Sequence, residues 1–374
     1  MAFSKRLKIL LISEPGSGGV KRHVLDLITN INLEKFEVGI IFSEKRADND
    51  YIKKLNSNKN IRIYKSKNLQ RDISLERDVL GLADIIKVIK EFKPDVVHCH
   101  SSKAGALGRI AAKLCNVKKV FYTPHAYVFQ DGSMGKLKKS VFVAIEKILS
   151  RLFTDKTINV SRGERNIAIS ENIDELNKLI IINNGVNQKF VNDFSLLNKF
   201  GIDSNVKFVG SIGRLDKQKN PLDFFRIAKL VNCVNRNIEF IWIGNGVMFE
   251  EIISFIKENN MEGYCRIIPF NDKSEMLLGN FDVFVSTSLY EGYPYALLDA
   301  NYNNIPIVAS NVVGNDDVVI DGKNGFLYPV DDLSLAVNRI IDVIDGRLSY
   351  QQRELCNISQ MVEKIEDLYM RDIL

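Results

Sequence analysis

Nothing in this 374-residue chain reaches the roughly 18 consecutive apolar residues that a membrane-crossing helix needs. Cysteine is sparse: Cys99, Cys115, Cys233, Cys265 and Cys356 are odd in number and scattered, with no CxxC pair and no Cys/His zinc spacing. They read as reduced core thiols of a cytoplasmic protein. GxGxxG is missing, which weakens a nicotinamide-dependent dehydrogenase reading. No nucleic-acid-binding motif, low-complexity segment or short internal repeat is present. The start, MAFSKRLKILLIS, places cations before an apolar run as a signal peptide does. That run is only Ile9 to Ile12 and no small-residue cleavage site follows, so it reads as a buried first strand.

What is present fits a globular protein: 45% hydrophobic and 26% charged residues, at a length that suits two ordinary α/β domains. The net charge of +5 is split unevenly, since residues 1–185 hold 33 Lys+Arg against 20 Asp+Glu, or +13, and residues 186–374 come to −8. A basic half of this kind faces an anionic partner, and an anionic membrane surface fits better than nucleic acid.

Short apolar runs alternate with helical patterns throughout. Lys8–Ser13, Glu37–Ser43, Ile61–Lys65, Asp95–His100, Lys119–Thr123, Lys156–Val160 and Leu179–Asn183 read as strands. Between them Gly19–Ile31, Glu76–Phe92, Lys103–Asn116 and Lys136–Phe153 read as helices. After the turn-rich Asn184–Asn187 the pattern restarts, with strands at Val206–Ile212, Ile238–Gly244, Cys265–Phe270, Phe281–Ser286, Ile305–Ser310 and Gly325–Tyr328. Pro221, Pro294 and Asp331 lie near helix starts. Such βαβ alternation predicts two Rossmann-like, doubly wound parallel-sheet domains, 1–185 and 186–356, with 357–374 a closing helix that packs back toward the first. Ligands of such sheets bind at the carboxyl ends of the strands, so two of them facing each other place a site in the cleft between them.

The loops at those ends carry the chemistry. Ser13-Glu-Pro-Gly-Ser-Gly18-Gly19 is a phosphate cradle or a plain tight turn. Arg214 and Lys219 precede a helix start at Pro221, where two cations neutralise a diphosphate without metal or simply face solvent. Glu291-Gly-Tyr-Pro-Tyr-Ala-Leu-Leu-Asp299 is more specific: a carboxylate on a turn, Pro294 at the first helical position, then a second carboxylate inside the helix. His125, in Thr-Pro-His-Ala-Tyr, ends a strand and is either a cleft residue or a structural one. His98 and His100 share a strand face but show no third ligand, which favours packing or a cleft-edge role over a metal pair. Asp48-Asn-Asp50 looks like a metal-binding DxD and is read as solvated loop. On Lys136–Phe153 an apolar stripe of Phe142, Ile145 and Leu149 sits among Lys136, Lys138, Lys139, Lys147 and Arg151. It packs on its own sheet, and the basic flank is free to touch lipid.

Taken together, Gly18-Gly-Val-Lys-Arg-His-Val-Leu-Asp-Leu, Pro94-Asp-Val-Val-His-Cys-His-Ser-Ser-Lys-Ala-Gly105, Thr123-Pro-His-Ala-Tyr127, Asn184-Gly-Val186, Gly213-Arg-Leu-Asp-Lys-Gln-Lys219, Gly322-Lys-Asn-Gly-Phe-Leu327 and the Glu291–Asp299 segment resemble family 4 glycosyltransferases of the GT-B fold, of the bacterial polysaccharide-assembly type. The resemblance spans nearly the whole chain. It implies that Glu291 matches the first carboxylate of an E-x7-E motif near the donor sugar. Asp299 stands where that motif has its second Glu, which contacts the nucleotide ribose; the shorter side chain leaves that contact direct after a local shift, or bridged by water. Arg214 and Lys219 match the diphosphate cations, Gly18 and Gly19 the glycine loop, and His125 a histidine near the reaction centre. The backbone amides of Tyr295 and Ala296 are available to the donor.

The resulting expectation is a retaining, metal-independent hexosyltransferase with no cofactor. It would move a sugar from a nucleoside diphosphate, chiefly UDP, to a lipid-linked saccharide in capsule, exopolysaccharide or O-antigen assembly, at the inner face of the cell membrane. Two rivals are a UDP-sugar epimerase of the same fold and a catalytically weak sugar-nucleotide-binding assembly subunit.

Overall fold

The computed structural model describes residues 6–191, 194–200, 202, 206–235 and 237–371. Residues 1–5 of the leader-like start and 372–374 of the expected closing segment lie outside them. The chain divides into two compact units at Gly185/Val186 and again at Leu355/Cys356, so that the last segment belongs to the first unit.

The first unit is built on seven strands: β1 (Leu7–Ser13), β2 (Phe36–Ser43), β3 (Ile61–Ser66), β4 (Val96–His100), β5 (Lys119–Thr123), β6 (Lys156–Asn159) and β7 (Leu179–Ile181), in the order β3-β2-β1-β4-β5-β6-β7. The second has six: β8 (Lys207–Ile212), β9 (Ile238–Ile243), β10 (Cys265–Ile268), β11 (Val283–Ser286), β12 (Ile307–Ser310) and β13 (Gly325–Tyr328), in the order β10-β9-β8-β11-β12-β13. Every neighbouring pair described is parallel. Parallel strands are covered by helices on both faces, which is why they are apolar without alternation. In β1, Ile9, Leu10, Leu11 and Ile12 are buried in succession, and β9 is buried at every position.

On one face of the first sheet, Val24, Leu27 and Ile28 of helix Gly18–Asn30 share a core with Met361, Val362, Ile365 and Tyr369 of helix Ile358–Arg371. The other face is covered by Leu75–Phe92 and Ser102–Leu114, through Ile85, Ile89, Phe92, Ala104 and Ala111. Phe224, Phe225 and Val231 of Pro221–Val234 and Ala336 and Ile340 of Leu333–Ile344 fill the second unit's core.

Four local expectations are corrected. Helix Lys136–Phe153 does not bury Phe142, Ile145 and Leu149 as one stripe; its buried face is Val143, Glu146, Leu149 and Ser150. Glu146 sets that rotation. It receives both amino groups of Arg109, at 2.7 and 2.9 Å, and the guanidinium lies 3.8 Å over the Tyr122 ring. A fully buried guanidinium stripped of its carboxylate is severely destabilising, so the pair outranks the apolar pattern. Leu137, Val141, Ile145, Ile148 and Leu152 are left exposed, Leu137 at 82% and Leu152 at 62%. Second, Pro294 is the N-cap of helix Tyr295–Tyr302, not its first helical residue. Third, Asp48-Asn-Asp50 is more than solvated loop: Asp48, though exposed, caps helix Asn49–Ser57 by accepting from the Tyr51 amide at 2.7 Å, Asp50 lies inside that helix, and Lys21 pairs with both carboxylates, each at 2.8 Å. Fourth, all five cysteines are free, but only Cys99 and Cys265 are buried, and Cys233 is exposed.

Candidate functional site

In each sheet the chain first winds outward from a central strand, then returns to its other side. The switches fall between β1 and β4 and between β8 and β11. Crossover helices leave opposite faces there, and the diverging loops open a crevice at the strand ends. The loops after β1, β8 and β11 carry Gly18, Gly19, Arg214, Lys219 and Glu291, and His125 follows β5.

In the second unit the loops after β8 and β11 are stitched together. Thr287 Oγ1 donates to the carbonyls of Lys219 and Asn220 at 3.0 and 2.8 Å, and Gln218 Nε2 to that of Tyr290 at 3.0 Å. This brings Lys219 Nζ to 2.5 Å from Glu291 Oε1, which also accepts from Ser288 Oγ at 2.7 Å. Glu291 is only 5% exposed. Gly314 presses on its stem: with φ at +88°, an added Cβ would come within 2.9 Å of Glu291 Cβ, so the loop after β12 admits no side chain there.

Lys219, Glu291, Ser286, Thr287, Ser288, Pro294 and Ala296 line one small concavity. It sits at the start of Tyr295–Tyr302, the positive dipole end of that helix. A cation, a carboxylate, hydroxyls and helix amides together suit an anion beside a hydroxylated group. Two expected site residues do not line it. Arg214 is 44% exposed and turned to Asp216 and Gln218, at 3.0 and 2.9 Å. Asp299 is buried inside the helix at 4% exposure.

In the first unit Gly18 opens helix Gly18–Asn30 with φ at +65°, while Ser17 caps it in an extended conformation. The preceding loop is tied down elsewhere: Gly16 bridges Ala47, and Glu14 pairs with Arg46. His125 and Ala126 both adopt positive φ, +56° and +80°. Two non-glycine residues in succession there are strained and persist only where the surroundings over-determine them. Glu164 does so: its carboxylate, wholly buried, accepts from the Ala126 amide at 2.6 Å and the Val160 amide at 2.7 Å.

All four histidines of the chain gather at this end of the sheet. His98 is satisfied at both nitrogens, by Tyr369 Oη at 2.7 Å and Thr123 Oγ1 at 2.8 Å. His100 Nδ1 is 3.2 Å from His125 Nε2, and the His23 ring packs edge-on to that of His125 with centroids 4.7 Å apart. His23 Nδ1 meets Asn184 Oδ1 at 3.0 Å. Burial holds His23 down to about 4 against the modest opposing pull of Asn184, and burial with the neighbouring rings holds His98, His100 and His125 well below the usual imidazole range. At neutral pH the cluster is uncharged.

Sequence reading gave no role to His23, Asn184, Glu164 or Ser288. Ser161-x-x-Glu164 is a visible capping-box pattern, and Ser161 does accept from the Glu164 amide at 3.0 Å. Its carboxylate instead reaches a second loop, which local spacing does not show. His23 and Asn184 meet across 161 residues of chain.

Two Rossmann-like units with motif-bearing loops at their switch points define a GT-B fold. The model of "Glycosyltransferase Family 4" matches residues 17–190, and that of "Glycosyl transferases group 1" matches 193–357. An Escherichia coli protein, UDP-Gal:alpha-D-GlcNAc-diphosphoundecaprenol alpha-1,3-galactosyltransferase, is 31% identical over 372 residues, 95% of this chain and 94% of its own length. The Staphylococcus aureus capsular polysaccharide biosynthesis glycosyltransferase CapM is 26% identical over 74% of each chain. Among solved structures, Anabaena HepE in complex with UDP and glucose superposes with a TM-score of 0.77 at 20% identity, over 97% of this chain and 99% of that one. The chain belongs to the family 4 glycosyltransferases.

Proposed function

We propose that the chain transfers a hexose from a UDP-linked donor to a saccharide carried on a lipid diphosphate, with retention of configuration and without metal. One observation carries this reading: Lys219, Glu291 and Ala296, in the first turn of Tyr295–Tyr302, line a single concavity. The diphosphate sits toward Lys219 and the helix start, with Arg214 at the rim, and Glu291 faces the sugar. The 2.5 Å Lys219–Glu291 pair keeps the cation in reach until phosphate oxygens compete for it. As the bond from the anomeric carbon to the phosphate oxygen breaks, negative charge grows on that oxygen, where Lys219, Arg214 and the amides stabilise it. Glu291 supports the positive charge left on the sugar. The acceptor oxygen bonds to the anomeric carbon on the face the leaving group vacates, and its proton passes to the departing phosphate oxygen.

The UDP assignment draws support from HepE, captured with UDP and glucose, and from the Escherichia coli relative named for UDP-Gal. That relative's acceptor, alpha-D-GlcNAc-diphosphoundecaprenol, supports the lipid-linked class. A further support is the outward face of Lys136–Phe153, where exposed Leu137, Val141, Ile145, Ile148 and Leu152 lie among Lys136, Lys138, Lys139, Lys147 and Arg151. An apolar stripe edged by cations suits an anionic lipid surface, and no helix among the described residues is long and apolar enough to cross a membrane.

The donor assignment is tested by thermal shift against UDP, ADP, GDP, dTDP and their hexose conjugates, since a ligand of the native state raises its midpoint. A UDP-hexose is expected to give the largest rise. A larger rise with another base, or none with any, contradicts it.

A further inference from the structure

The histidine cluster contains more than the one imidazole, His125, that the family resemblance places near the reaction centre. His23 and His100 are fully buried, and the Nε2 of each has no hydrogen-bond partner among the described residues. His98, in the same cluster, has both nitrogens satisfied, so crowding alone does not explain the two bare ones. One ring nitrogen from each of His23, His100 and His125 lies within 4.8 Å of one from each of the others.

We propose that His23, His100 and His125 form a binding site for a zinc-class divalent transition metal, and that occupation of this site inhibits sugar transfer. The donor set suits such an ion, because neutral imidazoles are its commonest nitrogen ligands and three of them leave a fourth position open. The orientation of His23 supports it. Asn184 Oδ1, an acceptor 3.0 Å from Nδ1, selects the tautomer with its proton on Nδ1 and leaves a lone pair on the buried Nε2. Metal-binding histidines are commonly oriented in this way, by a carbonyl on the nitrogen away from the ion. A tetrahedral centre with bonds of about 2.0–2.1 Å sets its ligand nitrogens roughly 3.4 Å apart. The spread of up to 4.8 Å closes to that with side-chain shifts of about 1 Å or less. Glu164 fixes the backbone that presents His125.

Inhibition rests on the resemblance that places His125 near the reaction centre, since a coordinated imidazole no longer offers its lone pair there. Binding does not rest on it.

The test uses the full chain without donor. Zn²⁺ is titrated by calorimetry, and Co²⁺ by its visible absorption, whose intensity reports a tetrahedral or five-coordinate centre. One equivalent is expected to bind. His23→Gln and His100→Gln are each expected to weaken Zn²⁺ by on the order of 100-fold or more, and Asn184→Ala by about 10-fold through loss of orientation alone. Asn184→Ala keeps every ligand, so it remains informative if a histidine variant fails to fold. No stoichiometric binding by the wild type would mean that water fills the space, and overturns the proposal; so does equal affinity in the wild type and all three variants. Transfer assays separate the second claim. Zn²⁺ is expected to inhibit the wild type at a concentration on the order of 100-fold below that needed for His100→Gln. Tight binding without inhibition would refute the inhibitory role and leave the metal site standing.

Discussion

The Lys219–Glu291 contact is where the residue-level account is most exposed to test. The two side chains meet at 2.5 Å over 72 residues of chain, and each is held from behind, Glu291 by Ser288 and the Lys219 loop by Thr287. Lys219→Ala and Glu291→Gln are each expected to lower turnover about 10²-fold or more with the fold intact, the scale of losing one preorganised charge stabiliser. Because they touch, the double variant should lose less than the product of the two. Near-wild-type turnover in both single variants would remove the concavity from the chemistry. The histidines give a second residue-scale expectation, in stability. His23 takes its proton at about 4 in the native state against 6.5 when unfolded, and His98, His100 and His125 are depressed in the same direction. Between those values the unfolded state binds more protons, so the histidines' contribution is complete above pH 6.5 and is lost as pH falls toward 4. Each proton is worth about 1.4 kcal/mol per pH unit. The melting temperature should fall steeply from pH 7 to pH 5, and His23→Gln should flatten the slope; equal profiles in the two would contradict the assignment.

At the scale of elements, helix Lys136–Phe153 shows why a pattern can be seen and still be misoriented. Its limits follow from its sequence, but its rotation depends on Glu146 finding Arg109, a partner 37 residues earlier. That pair turns Leu137, Val141, Ile148 and Leu152 outward. We expect the protein to co-sediment with anionic but not zwitterionic vesicles, and less so in high salt. Replacing Leu137, Val141, Ile148 and Leu152 together by Ser, or Lys136, Lys138 and Lys139 by Glu, should each abolish sedimentation and leave donor binding unchanged. Sedimentation equal to wild type in both would show that the helix does not meet lipid. The strands were far more legible, because a strand buried on both faces leaves an unbroken apolar run that needs no partner to be seen. Lys119–Thr123 and Gly325–Tyr328 match their expected limits, and Pro221 does open its helix. Pro294 falls one residue outside the helix, where its missing N–H is harmless in either place.

Across the whole molecule, the order of motif-bearing loops carries the family: glycine loop, histidine, cation pair and carboxylate pair each follow a strand at or near a switch point of one of two parallel sheets. That order can be read along the chain, and so Glu291 and Lys219 were legible as candidate site residues. Their direct pairing was not, nor was the gathering of four histidines, because both depend on how separate loops meet in space. Nor was the setting of two further motif residues: Arg214 is turned to Asp216 and Asp299 is buried in its helix. The central claim is metal-independent transfer with retention. It is tested most directly by incubating the protein, in excess EDTA, with the UDP-hexose that gives the largest thermal shift and a lipid-diphosphate-linked GlcNAc acceptor. The anomeric configuration of the product is then read by NMR. The account predicts a new glycosidic bond with the configuration of the donor. An inverted linkage, a reaction that needs added Mg²⁺ or Mn²⁺, or epimerised donor formed without acceptor would contradict it.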